Sequence, residues 1–176
     1  MCRSRNGQIF TIDMVASILV FMLIVNLSLI TWNLAQRNSV MFNEDRALRD
    51  RAERIADLLV RGPGVPENWT ADTVELVGLA DPDHVLSNEK LDEFDALSYQ
   101  EQTDLLRTRG SDVHLNVSTN GSTVEVDTDS GTLTAAFGTP AAADAETVAV
   151  SERRVLVNTS NTEGYEDAVL ELVLWR

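Results

Sequence analysis

Two short acidic runs are where this chain comes nearest to metal chemistry. Asp127-Thr128-Asp129-Ser130-Gly131 opens like a calcium loop, with carboxylates spaced by one residue ahead of a glycine. A calcium loop needs a third oxygen ligand before its glycine and a bidentate glutamate at position twelve. Here the third acid is missing and position twelve is Gly138, so the run reads as a hairpin turn. Asp81-Pro82-Asp83-His84 offers two carboxylates and an imidazole, but a polar turn uses the same residue types. His84 and His114 are the only histidines and Cys2 is the only cysteine, too few for a His/Cys zinc set. Serine, histidine and aspartate all occur, yet no nucleophile elbow, phosphate loop or zinc-ligand spacing is present. The sequence therefore assigns no catalytic residue, no metal ligand and no cofactor, and the expectation is a protein that is not an enzyme. The modification chemistry is clearer. Asn68-Trp-Thr, Asn116-Val-Ser, Asn120-Gly-Ser and Asn158-Thr-Ser are four N-glycosylation sequons.

The element that must position everything else is an apolar stretch near the N-terminus. From Met14 to Gln36 no residue is charged. As a helix, the segment 14–34 spans about 31 Å, which matches the ~30 Å hydrocarbon core of a bilayer. Its polar residues, Ser17, Asn26, Ser28, Thr31 and Asn33, are few and neutral, and Trp32 stands at its far end where an interfacial aromatic belongs. The lipid bilayer is thus the first expected partner. Asn26 has two readings, a hydrogen bond to a neighbouring helix or a local bond.

Net charge is −14 with a sequence pI near 4.4. That excludes nucleic acid as a partner, since phosphates demand a basic surface. Thirteen arginines accompany a single lysine, Lys90. Lysine-poor, acid-rich surfaces resemble those of extremely salt-adapted organisms; the plainer alternative is an ordinary acidic extracellular domain. One cysteine allows no intrachain disulfide, so the part beyond the apolar stretch must be held by packing.

The leader reads MCRSRNG with Arg3 and Arg5 positive, followed by Gln8, then Asp13 and the apolar run. This arrangement resembles the class III signal peptide of archaeal type IV pilin-like proteins; with the composition, it points to a haloarchaeal source. The resemblance implies that a prepilin peptidase cuts between Gly7 and Gln8. It implies that Asp13 guides assembly by pairing with a neighbour's new amino terminus, and that the helix packs against other pilin-like subunits. Two departures stand: Asn6 separates Arg5 from Gly7, and Asp13 is the sixth mature residue where the family commonly has its acid at the fifth. From the residues alone, Asp13 equally reads as a carboxylate at the positive end of a helix dipole. An uncleaved signal anchor is the alternative to processing.

Orientation sets two signals against each other. Two arginines precede the helix and five follow it (Arg37, Arg46, Arg49, Arg51, Arg54), which by charge alone would place the C-terminal side inside. The four sequons lie after the helix, and the arginines there are interleaved with Glu44, Asp45, Asp50 and Glu53. The C-terminal domain is therefore expected outside the cell membrane.

Beyond Gln36 the helical pattern continues. Met41, Asp45, Leu48, Ala52, Ile55 and Leu59 form one stripe, and Asp45–Arg49, Arg46–Asp50 and Asp50–Arg54 stand at i,i+4. Gly62-Pro63-Gly64 ends the helix. Ser87 is placed to cap one short helix, and Ser98 with Glu101 to form a capping box on another. From Asp112 the period becomes two, with Asn120-Gly121 as a hairpin turn, LTAAF as a third strand, PAAADAE as a loop, and TVAVSERRVLVN and AVLELVLW as the last strands. The layout expected is a basic leader 1–7, a long helix 8–61 with its membrane half at about 14–34, and an extracellular head 62–176. The fold class is α+β: the amphipathic half of the helix packs on a C-terminal antiparallel sheet of four or five strands, an architecture similar to that of a pilin. The expected function is a minor pilin or pseudopilin, a structural subunit of a type IV filament-like system. The alternative is an uncleaved single-pass protein with an extracellular binding domain.

Overall fold

Helix α1 runs without a break over Asn6–Arg61 in the computed structural model, which describes residues 6–81, 84–160 and 164–176. Side chains of 6–12 and 37–41 lie outside that description, as do Cys2, Arg3 and Arg5 of the leader and Asp83 of the acidic run. The chain divides into two compact units, one ending at Glu44 and the other spanning Asp45–Arg176. The division falls inside α1 rather than at its end, because the helix changes character there. Up to Gln36 its described side chains are exposed or, at Val25, half-buried; from Leu48 onward one face is buried at Leu48, Ala52, Ile55, Ala56, Leu59 and Val60. Asp45, the charged gap in the stripe, is half-buried and accepts a hydrogen bond from the Thr147 hydroxyl at 3.4 Å.

The expected i,i+4 pairs Asp45–Arg49, Arg46–Asp50 and Asp50–Arg54 do not form ion pairs. Arg54 instead donates Nε to the Asp50 carbonyl at 3.0 Å, a bond available without fixing two long side chains together. Asp57 does form ion pairs, with Arg61 at 3.6 Å and with Arg153 at 2.6 Å.

The end of α1 is tied down by backbone. Its last-turn carbonyls lack helical partners, and two of them are taken up: Leu59 O by the Leu79 N–H at 2.8 Å and Val60 O by the His84 N–H at 2.7 Å. The chain then turns through Gly64, at φ +89°, into β1 (Gly64–Val65), which pairs antiparallel with β2 (Leu76–Val77). The buried Trp69 indole N–H bridges Pro63 O at 2.8 Å and Gly78 O at 3.0 Å.

Helix α2 (Asn88–Ala96) follows Ser87, which occupies the N-cap position without making a side-chain cap bond. Helix α3 (Tyr99–Leu105) carries the full capping box of Ser98 and Glu101. Hydrogen bonds from Ser98 hold the Glu101 carboxyl below its usual pKa. Buried Gln102 donates to Phe94 O at 3.0 Å and Leu97 O at 3.3 Å, satisfying the end of α2 from within α3.

The five-stranded antiparallel sheet contains β3 (Asp112–Thr119), β4 (Ser122–Thr123), β7 (Ala136–Gly138), β8 (Val148–Asn158) and β9 (Tyr165–Trp175). Its order is β4-β3-β9-β8, with β7 also pairing with β3. Period-two alternation fixes its inner face: Val113–Leu174–Ala149, Leu115–Leu172–Ser151 and Val117–Leu170–Arg153 are cross-strand rows, and all but Arg153 are buried. These residues share one core with the buried stripe of α1. Phe137 of β7 meets Phe94 of α2 edge to face, ring centroids 5.3 Å apart. Arg153 is the charge on the inner face, and Asp57 of α1 receives its Nε.

Asn120, at φ +52°, and Gly121, at φ +82°, make the expected hairpin turn between β3 and β4. The return strand differs from expectation. It pairs with β3 for two residues, then passes through Val124 into β5 (Glu125–Thr128), which forms a separate two-stranded sheet with β6 (Gly131–Thr134). The buried side chains of Val124 and Val126 draw this ribbon into the core, and the hydroxyls of Thr128 and Ser130 bond the Asp92 carboxylate of α2 at 3.2 and 2.5 Å.

Candidate functional site

The segment Asp13–Gln36 of α1 has 24 residues and a mean hydropathy of 2.4, long and apolar enough to cross a membrane. None of it is buried against protein, which separates it from the core helix of a water-soluble domain. Helical geometry brings each of four polar side chains back onto the carbonyl four residues earlier. Ser17 donates to Asp13 O at 2.8 Å, Asn26 to Met22 O at 2.8 Å, Ser28 to Ile24 O at 2.9 Å and Thr31 to Leu27 O at 2.7 Å. The hydroxyl donors of Ser17, Ser28 and Thr31 and one amide N–H of Asn26 are thus satisfied within the helix. Asn26 makes the local bond through one N–H, and its second N–H and Oδ1 remain for a neighbouring helix. Asp13 is exposed at the start of the span. Gly7 and Gln8 both lie within α1, which begins at Asn6.

The sequons all fall in the second unit, and the structure places them differently. Asn68 is exposed beside the buried anchor Trp69, Asn120 is exposed at the hairpin turn, and Asn158 is exposed at the end of β8. Asn116 is half-buried within β3, opposite Glu171, and its Oδ1 accepts from Thr123 Oγ1 at 3.1 Å.

Asp127-Thr-Asp129-Ser-Gly131 is the β5–β6 turn, with Thr128 paired to Gly131. The backbone of His84 works as a clasp: its N–H bonds Val60 O and its carbonyl accepts from the Leu156 N–H at 2.8 Å. Among the described residues no group of three or more His, Cys, Asp or Glu could hold a metal ion. His114 is half-buried on β3, and its buried Nδ1 has no hydrogen-bond partner.

Two features of the head escaped the sequence reading. Lys90, the chain's single lysine, is 93% buried, and its Nζ has no hydrogen-bond partner. Burial pushes its pKa down, opposed by the nearby charges of Asp81, Glu67 and Glu89. An amphipathic helix ordinarily leaves lysine in water, so only its rarity in the chain marked it. The second feature is an open groove of about 490 Å³ lined by Arg51, Arg54, Arg107 and Arg109. The signal for it was the pair of arginines in Leu-Arg107-Thr-Arg109-Gly, directly after the helix that Ser98 and Glu101 cap.

No protein family matches this chain, no curated protein resembles it, and no solved structure shares its fold at a significant level. The chain is of mixed helix and sheet, with a long N-terminal apolar helix able to span a membrane and a C-terminal antiparallel sheet.

Proposed function

We propose that this chain is a membrane-anchored structural subunit, not an enzyme, of a type IV filament-like surface system, in the role of a minor pilin or pseudopilin. The observation that carries the reading is α1 itself: one unbroken helix, apolar and exposed over Asp13–Gln36, whose continuation buries Leu48 to Val60 in the core of an antiparallel β head. A helix built this way can sit in lipid and later pack against like helices, while the head stays folded on its own core. The leader residues agree with this role: Gly7 and Gln8 as the processing site for a prepilin peptidase, and Asp13 as the acid that guides assembly. The sequons Asn68, Asn116, Asn120 and Asn158 support a head outside the cell membrane, and the acidic composition supports a haloarchaeal cell surface. The test is intact mass and N-terminal sequencing of the protein extracted from its native membrane. A mature chain starting at Gln8 is expected; a chain that keeps Met1 or Cys2 would sink the processed-subunit reading.

One observation favours a second reading, an uncleaved single-pass protein with an extracellular binding domain. Because α1 already begins at Asn6, the Gly7–Gln8 bond lies within helix, whereas proteolysis prefers exposed irregular chain. The same mass measurement separates the two.

A further inference from the structure

Four arginines of the head stand around an open apolar surface. Arg51 and Arg54 project from α1, and Arg107 and Arg109 from the loop between α3 and β3, around a floor that includes Ile55, Leu58, Leu76 and Leu105. No acidic residue lines this groove in a chain of net charge −14. Arg51 is aimed by its Nη1 bond to Thr108 O at 2.9 Å, which leaves further guanidinium donors to spend. Arg107 and Arg109 both stand at φ +55°, a backbone conformation that glycine or asparagine would occupy at lower cost. Retaining two arginines in that conformation is strain held at a surface site.

A complementary strip lies on another part of the same head. Val148, Val150 and Glu152 alternate along the outer face of the first half of β8, and Asp144 and Glu146 stand in the turn and bend that lead into it; all five are exposed, Val148 at 43% and Val150 at 53%. The strip faces away from the core that α1 shares with the sheet, since the intervening Ala149 and Ser151 are the buried members of the alternation. The strand is also the edge of the sheet. Carboxylates flanking two valines match guanidinium groups flanking a leucine and isoleucine floor, in charge and in polarity.

We infer that the groove receives the acidic strip of a second copy of this chain. Two different patches make the contact, so it is heterologous: each head offers a free groove and a free strip after binding, and the contact repeats in a line. This rests on the subunit reading above and adds to it a head-to-head contact outside the apolar helix.

The test uses the full chain reconstituted one copy per lipid nanodisc, so that apolar helices cannot meet, with association followed by sedimentation velocity. Parent discs are expected to associate. Arg107→Gly/Arg109→Gly is expected to fold at least as stably, because glycine relieves both left-handed residues, yet to associate about tenfold more weakly or not at all. A chain with Arg107→Glu/Arg109→Glu and a chain with Asp144→Arg/Glu146→Arg should each stay single alone and associate when mixed. Parent discs that stay single, a glycine double variant that associates like the parent, or charge-reversed chains that fail to associate on mixing would overturn the contact. Discs that stay single while citrate raises the melting temperature of the parent but not of the glycine variant would assign the groove to a small anion, and would overturn it too. Mass on the same samples keeps this separate from the subunit reading: an uncleaved native chain whose discs associate retains the contact and loses the pilin role.

Discussion

Gly78→Ala is expected to loosen the fastening between α1 and the head more than its single methyl group would suggest. Gly78 has no positive φ, so alanine fits its backbone; the obstacle is space. A Cβ there would meet Gly62 O and Gly64 N inside van der Waals contact and Pro63 C at 2.9 Å. All three are backbone atoms of the segment that ends α1, and none can swing aside as a side-chain tip would. Relief requires the strand to retreat, which stretches the Trp69 indole bond to Gly78 O, now 3.0 Å, and the Leu79 N–H bond to Leu59 O, now 2.8 Å. Overpacking costs ~1–3 kcal/mol and each weakened bond adds about 1 kcal/mol. The expected loss is therefore roughly 3–5 kcal/mol, or about 10–20 °C in melting temperature for a unit of this size. Thermal unfolding of the full chain in detergent, followed by far-UV circular dichroism and by fluorescence of the buried Trp69 and Trp175, reads it directly. Gly62→Ala is the control: it too lacks positive φ, nothing lies within 4 Å of its added Cβ, and it should change stability by no more than about 0.5 kcal/mol. A Gly78→Ala variant that melts within 2 °C of the parent would refute the argument from close backbone approach.

Asp57 is held below the usual carboxylate range chiefly by its hydrogen bond from Arg153, so its stabilisation is full above pH ~4 and lost as pH falls through the lowered folded value. The pair is partly solvated, so Asp57→Asn should cost ~1 kcal/mol or less at neutral pH and flatten the acid limb of a stability–pH curve; an unchanged acid limb would contradict the pairing. Lys90→Met should raise stability by about 1–2 kcal/mol at pH 7, because an ammonium without a partner is replaced by an apolar chain of similar volume. That gain should shrink as pH rises from the lowered folded value toward 10.5, where the parent buries a neutral amine instead; a Lys90→Met variant less stable than the parent would show that the ammonium is bonded. Ser28→Ala should leave helix–helix association in micelles unchanged, measured by energy transfer between labelled chains, since its single hydroxyl donor is already bonded to Ile24 O.

Much of the architecture was legible because it depends on local rules. The 3.6-residue stripe located the buried face of α1, Gly62-Pro63-Gly64 located its end, the Ser98–Glu101 box located α3, and Asn120-Gly121 located a hairpin with both φ values positive. Local pattern failed where a residue's role is set by something distant in sequence. Arg153 looked like ordinary strand charge, yet it stands on the inner face because Asp57, 96 residues earlier, is there to receive it. TVEVDT looked like one strand, but it leaves β3 after the Val124 N–H bond to Val117 O, and Val126 then pairs with Leu133 of β6 while its side chain is buried in the core. The arginine groove is assembled from α1, β2 and the α3–β3 loop, and no window of the sequence contains it. The apolar helix is the opposite case: hydropathy alone exposes it, because its environment is a solvent rather than a set of particular neighbours.

The self-bonded polar residues of the apolar helix set how freely it can trade neighbours. Ser17, Asn26, Ser28 and Thr31 have each spent a donor on the helix's own backbone. Exchanging lipid tails for protein side chains at the three hydroxyls therefore breaks no hydrogen bond, while Asn26 keeps a second N–H and its Oδ1 beyond the bond to Met22 O. Such a helix has little chemical preference between a fluid bilayer and a close-packed bundle. For the subunit role proposed above, the balance is then left to shape, to the carboxylate of Asp13 at one end, to the remaining amide groups of Asn26 and to the contacts of the head.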